Sequence, residues 1–264
     1  MSELREAVRS RYGSAARQLT VLASTGAELA PDCCRGDGPD CGCGGAYAAA
    51  ELQEVGLTDA VSLGCGNPVL LAELRRGDIV LDLGSGGGLD VLLAAHRVAP
   101  DGHVYGVDMT DEMLELATRN QARAGVENAS FLRGSIEHVP LPDDAVDVVI
   151  SNCVINLAED KGVVIREAFR VLKPGGRLAV SDMVELRPLP AAVKKELDAW
   201  AGCIAGTIPV DDYRQLLIEA GFEAPDIEVT GEQGTGGVAG AIGSASIRAT
   251  KPRKSASIST EGPG

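Results

Sequence analysis

Apolar and polar positions change period several times along the chain, and each change marks an element. Leu4, Val8, Tyr12, Ala15, Ala16 and Leu19 recur at helical spacing, which predicts an amphipathic helix over residues 1–20, broken at Gly13. Two uses stand open for it: a helix docked on the body of the protein, or a lid over a ligand crevice with Tyr12 at its tip. Ala46 to Val55 reads as a short helix closed by Gly56, and Leu70 to Arg75 as another. From residue 79 onward, short runs of apolar and β-branched residues recur at Ile79–Leu83, His103–Val107, Ala129–Arg133, Ala145–Ile150 and Arg177–Ser181. Such runs are the pattern of strands buried on both faces of a parallel sheet. Helical patterns lie among them at Leu89–Val98, Thr110–Ala124 and Asp160–Leu172. Thr110 offers an N-cap, Gly125 a stop, and Lys173-Pro-Gly-Gly176 ends the third. Helical spacing returns over 183–206 and Asp211–Ala220, before two closing strands, Glu223–Thr230 and Ala241–Thr250.

Alternating β and α elements predict an α/β fold, a doubly wound and mostly parallel seven-stranded sheet with helical additions. The expected organisation is an N-terminal helical and cysteine-loop region at 1–70 and a ligand-binding core at 71–182. An insertion with the closing strands follows at 183–250, and a disordered tail at 251–264.

Composition narrows the partners. The net charge is −14, which argues against a nucleic-acid substrate and against docking on anionic lipid. No apolar run approaches the ~20 residues that span a bilayer. Met1-Ser-Glu-Leu-Arg-Glu6 lacks the apolar stretch of a signal peptide, so the expected compartment is the cytoplasm. In that compartment the seven cysteines read as ligands, nucleophiles or core residues before disulfides.

The chemistry starts at Asp82-x-Gly84-x-Gly86-x-Gly88, between the first strand and a helix. Glycines there let the backbone approach a ligand, and the helix N-terminus favours an anionic group. A dinucleotide fingerprint would need glycine at 89, where Leu89 stands. The second strand ends in Asp108, whose carboxylate suits a ribose diol. Asp82 suits an ammonium group. Amine, carboxylate and ribose together fit S-adenosylmethionine better than a dinucleotide or a merely structural turn. Ser85 in the loop, Met109 beside Asp108, Ile136 and Glu137 where an adenine would lie, and Asn152 complete the expected cofactor-binding set.

Ligands of such sheets bind beyond the C-terminal strand ends. Cys153 follows the fourth strand there, Cys65 lies in a Gly64–Gly66 turn leading to the first strand, and Cys203 sits in the segment that must cover the same edge. No histidine accompanies them, so a Cys–His nucleophile is unsupported. An all-sulfur site selects a soft, thiophilic centre. Cys33, Cys34, Cys41 and Cys43 share a glycine-rich loop whose spacing is not that of a zinc finger; a mobile thiol loop, a structural zinc and inert cysteines all remain open.

Ser62-Leu-Gly-Cys-Gly-Asn-Pro68, Val80-Leu-Asp-Leu-Gly-Ser-Gly-Gly-Gly88, Gly106-Val-Asp-Met-Thr-Asp-Glu112, Ser151-Asn-Cys-Val-Ile-Asn-Leu157, Leu172-Lys-Pro-Gly-Gly176 and Ala201-Gly-Cys-Ile-Ala-Gly206 resemble the arsenite methyltransferases. The similarity covers roughly residues 10–230; the glycine loop and Lys-Pro-Gly-Gly are common to many methyltransferases, and the three cysteine contexts are the specific part. The resemblance implies a Rossmann-like fold and S-adenosylmethionine-dependent methylation of trivalent arsenic. It implies Cys65, Cys153 and Cys203 as the catalytic and arsenic-binding thiolates, with no other metal. It implies that Cys33 or Cys34 assists as an auxiliary thiol, with a glutathione- or thioredoxin-type reductant as co-substrate. The arsenic lone pair would then take the methyl group in line, with no general base. Thr207 and the Cys41-Gly-Cys43 pair depart from the family pattern. The rival readings are an O- or C-methyltransferase for a small molecule, and a non-catalytic thiol-based metalloid-binding protein.

Overall fold

The computed structural model describes residues 2–25, 47–57, 64–195, 204–233 and 239–253. Its centre is one sheet of seven strands: β1 (Ile79–Leu83), β2 (His103–Asp108), β3 (Ala129–Arg133), β4 (Val146–Asn152), β5 (Leu172–Glu185), β6 (Glu223–Gln233) and β7 (Ile242–Thr250). The order across it is β3-β2-β1-β4-β5-β7-β6. The first five strands run parallel, while β7 enters antiparallel between β5 and β6. Strand order therefore reverses between β1 and β4, the switch point where such sheets open a crevice.

Helices cover both faces: α1 (Glu3–Thr25), α2 (Ala49–Glu54), α3 (Pro68–Leu71), α4 (Leu89–Val98), α5 (Asp111–Ala124), α6 (Lys161–Val171) and α7 (Val210–Ala220). The period-two pleat divides the strands between them. Leu81, Leu83, Val149, Leu178 and Val180 pack towards α6 and α7 with Val164, Ile165, Tyr213 and Leu217. Val80, Val104, Val148, Ile150 and Ala179 pack on the other face against Val91, Leu92 and Leu93 of α4. Asp82 falls on the α4 face by the same alternation, so the one carboxylate inside β1 points at α4. No helix among the described residues is long and apolar enough to cross a membrane.

Several boundaries differ from the sequence expectation. α1 is continuous through Gly13. A Cβ at Gly13 would lie 3.3 Å from the Glu112 carboxylate, so the glycine lets α1 press close on α5. A helical glycine costs only about 1 kcal/mol, and the packing of Tyr12, Ala15, Ala16 and Leu19 on Met113 and Leu116 outweighs that. α3 covers only Pro68–Leu71, because the chain turns at Glu73 into a positive φ of 48°. Thr110 is the N-cap of α5, but its side chain makes no cap bond.

The larger correction concerns residues 172–206. Lys173-Pro-Gly-Gly176 ends α6, yet the chain is already in β5, where Leu172 pairs with Val146 and the glycines fall in an irregularity of register. Met183, Val184 and Glu185 extend β5 opposite Ser244, Gly243 and Ile242 of β7, rather than opening a helix. The apolar spacing alone did not reveal that β7 would supply ladder partners there. A short 3-10 turn at Val193–Lys195 follows. Residues 196–203 of the expected helix, with Cys203, lie outside the described residues, as do Cys33, Cys34, Cys41, Cys43, residues 234–238 between β6 and β7 and the tail from residue 254. Lys251, the expected start of a disordered tail, is instead held in place, its Nζ donating to Asp144 at 2.7 Å and to the Leu172 carbonyl at 2.6 Å.

Candidate functional site

The crevice forms where β1 and β4 lie side by side, Leu83 in register with Ser151. β1 runs into the glycine loop, with Gly84, Gly86 and Gly88 all at positive φ. A Cβ at Gly84 would run into the Val154 side chain, so the loop is pressed against the exit of β4. Gly86 faces the other way: a Cβ there would meet only the Met113 Sδ, at 3.9 Å. The Asp108 carboxylate accepts from the Gly86 N–H at 3.0 Å and the Thr110 N–H at 2.8 Å, which ties the loop to the end of β2. The Thr110 side chain and the Met109 N–H also hydrogen-bond to it.

Three carboxylates, Asp82, Asp90 and Asp108, crowd this end of the crevice. Burial raises the Asp82 carboxyl well above its ordinary range, and the charges of Asp90 and Asp108 add to that. Burial pushes Asp90 up to about 6, against hydrogen bonds from Tyr47 and Asn152. Asp108 is raised by burial against several backbone N–H groups. Ser85 is buried here, and its Oγ has no partner among the described residues. Ile136 packs at the edge of the main core after β3, and Glu137 pairs with Arg5 of α1 at 3.0 Å. α1 thus docks on α5 and also reaches the loop after β3.

The other end of the crevice lies at the C-terminal edge of β4. Cys153 follows Asn152 with φ of 58°, an uncommon conformation for a residue with a side chain, and donates its N–H to the Ser181 carbonyl at 2.8 Å. Cys65 and Cys153, 88 residues apart in the chain, are joined here as a disulfide with Cα atoms 5.9 Å apart. That corrects the expectation of free thiols at this pair. The convergence that would let both sulfurs reach one soft atom also lets them reach each other. An Asp182 oxygen lies within 4.8 Å of both sulfurs.

Asp182 is fully buried. It accepts from Asn156 Nδ2 at 2.7 Å and from the Met183 N–H at 2.9 Å. Burial pushes its carboxyl up to about 7, opposed by those hydrogen bonds and by Lys161. Asn152 turns towards α4. Its Oδ1 accepts from the N–H groups of Cys65 and Gly66, at 3.0 and 3.2 Å. Its Nδ2 donates to the Gly66 carbonyl at 2.8 Å, the Tyr47 hydroxyl at 2.9 Å and Asp90 at 3.2 Å.

The structure thus brings together Asp82, Ser85, Gly86 and Asp108 at one end, and Cys65, Cys153 and Asn152 at the other. Sequence reading missed Tyr47, Asp90 and Asp182. Asp182 had a signal: a carboxylate inside the apolar run of β5, the same mark that singled out Asp82 in β1.

Residues 74–221 match the family model described as a methyltransferase domain. An arsenite methyltransferase of Halobacterium salinarum is 52% identical over 135 residues, which is 51% of this chain and 34% of that protein. The human arsenite methyltransferase is 35% identical over 137 residues, 48% of this chain and 36% of that protein. The chain therefore spans about a third of the length of these curated relatives. The crystal structure of an arsenic (III) S-adenosylmethionine methyltransferase from Chlamydomonas reinhardtii superposes with a TM-score of 0.63 at 36% identity, covering 73% of this chain and 68% of that one. By family model, fold and sequence, the chain belongs to the S-adenosylmethionine-dependent methyltransferases, in the branch that holds the arsenite methyltransferases.

Proposed function

We propose that the protein methylates trivalent arsenic, with S-adenosylmethionine as methyl donor. The observation that carries the reading is the meeting of Cys65 and Cys153 at the crevice edge beside the glycine loop. The crevice fits the donor on its own terms. Space is open over Gly86, a buried Ser85 hydroxyl lacks a partner among the described residues, and buried carboxylates suit a cationic group. Asp82 would face the amine and Asp108 the ribose, with Gly84, Ser85, Gly86, Gly88 and Met109 lining the backbone side and Ile136 and Glu137 the adenine side. When bound, the donor supplies an electrophilic methyl group suited to the lone pair of arsenic(III).

The chain's own residues hold the arsenic. Arsenite carries three hydroxyls, and each can exchange for a thiol of Cys65, Cys153 or Cys203, the thiol proton leaving with the hydroxyl as water and the sulfur staying on arsenic as thiolate. Three sulfurs on one side leave the arsenic lone pair on the other, so catalysis becomes mainly positioning. The Cys65–Cys153 disulfide closes this site, and a thiol reductant must open it before arsenic enters; Cys33 or Cys34 would relay that exchange.

Arsenite titration of the reduced and the oxidised protein tests the reading. Reduced protein should bind one arsenic, and protein with the disulfide intact should bind none at this site. Equal binding by both forms, or binding that survives Cys153→Ser unchanged, would refute it.

A further inference from the structure

We propose that Asn152, braced by Tyr47 and Asp90, is a positioning residue that holds Cys65 in place for substrate. The inference rests on Cys65 being one of the arsenic ligands. Cys65 belongs to a turn that reaches the site from outside the parallel strands, yet its backbone is hydrogen-bonded to a side chain on β4. The Asn152 oxygen accepts from both the Cys65 and Gly66 N–H groups, and its nitrogen donates to the Gly66 carbonyl. This is the pairing one strand edge makes with another, delivered by a single amide.

The amide is itself held. Its nitrogen also meets the Tyr47 hydroxyl and the Asp90 carboxylate, and Tyr47 donates to Asp90 at 2.6 Å. An asparagine has one acceptor oxygen and two N–H donors, and all are committed here. Asn152 is therefore occupied by the turn rather than by the cofactor for which the sequence suggested it. The turn is shaped to the amide: at Gly64 the space a Cβ would need is filled by the Asn152 side chain, and at Gly66 a Cβ would lie 2.6 Å from that of Ser181. Asp90 stands in the first turn of α4, directly after the glycine loop. The same three side chains thus connect the helix behind the cofactor loop to the thiol that meets the substrate.

Positioning predicts a selective defect. Arsenite offers three positions for sulfur, whereas methylarsenic(III) offers two, so only the former needs Cys65. Asn152→Ala should lower kcat/KM for arsenite relative to methylarsenic(III) by roughly tenfold, the effect of losing one or two well-made hydrogen bonds. It should also weaken the disulfide. In glutathione buffers, where the Cys65–Cys153 dithiol passes two electrons and two protons to glutathione disulfide, the midpoint should shift about tenfold in the ratio of disulfide to thiol glutathione.

Peptide mapping by mass spectrometry reads that equilibrium without requiring activity. Tyr47→Phe removes one brace at a distance from Cys153 and should move both readouts the same way, by less; it decides the matter if Asn152→Ala does not fold. Proportional loss on both arsenicals with an unmoved disulfide midpoint would overturn the proposal. If wild-type protein methylates neither arsenical, the proposed function fails, and the midpoint still tests the clamp.

Discussion

Replacing Gly86 by alanine separates strain from occupancy of the crevice. Gly86 has a φ of 49°, where a side chain costs about 1–3 kcal/mol. At about 2–4 °C per kcal/mol for a chain near this size, melting should fall by roughly 2–12 °C. The added methyl would otherwise meet only the Met113 Sδ, at 3.9 Å, so the free fold accommodates it. In the proposed placement of the cofactor it would intrude on the space the ligand needs. Intrusion of a methyl into a filled contact costs about 1–3 kcal/mol, or about fivefold to a hundredfold in affinity. Gly77→Ala is the control: its φ is 86° and a Cβ would meet nothing within 4 Å, in a turn before β1. Calorimetric titration with S-adenosylmethionine and scanning calorimetry of each variant supply both numbers. The expected outcome is a comparable melting shift in both variants and lost affinity only in Gly86→Ala. Equal cofactor affinity in the two would refute the placement of the ligand over Gly86.

Three further outcomes follow. Asp82, Asp90 and Asp108 have raised carboxyls, Asp90 to about 6, and a bound cation favours their charged forms. S-Adenosylmethionine affinity should therefore rise with pH through about 6, by up to roughly tenfold per pH unit for each proton displaced, and calorimetry in buffers of different ionisation heat should detect proton release. Cys65→Ser should lose methylation of arsenite but keep that of methylarsenic(III), while Cys153→Ser and Cys203→Ser should lose both, as read by arsenic speciation with folding checked by circular dichroism. The double variant of Cys33 and Cys34 to Ser should slow multiple turnover with excess reductant and leave a single turnover of pre-reduced protein nearly unchanged; stoichiometric zinc in the purified protein would point instead to a structural metal.

The parallel core was legible because its signals are local. β1, α4 and β3 fall where the apolar runs and the glycine loop put them, since a buried strand and a helix opening after a glycine loop each carry their own pattern. The end of β5 was not legible, because Met183 to Glu185 become strand through pairing with β7, some sixty residues away. Gly13 misled for a related reason: its cost is local and its benefit lies in contact with α5. In the site, Cys65 stood out as a glycine-flanked thiol, Cys153 by its place after the fourth strand and Cys203 by its place in the segment expected to cover that edge. The bond between two of them did not, since it depends on β4 and the turn meeting across the crevice. Asn152 was picked out by position, but it and its partners Tyr47 and Asp90 come from three separate stretches of chain and have no shared sequence mark.

The most direct test of the account is methyl transfer itself. Reduced protein is incubated with arsenite, S-adenosylmethionine carrying an isotopically labelled methyl group, and a thiol reductant, and the products are separated by arsenic speciation. The account predicts labelled methylarsenic species that require both the cofactor and the reductant and that vanish in Cys153→Ser. Arsenic left entirely inorganic by folded, reduced protein that binds the cofactor would contradict it.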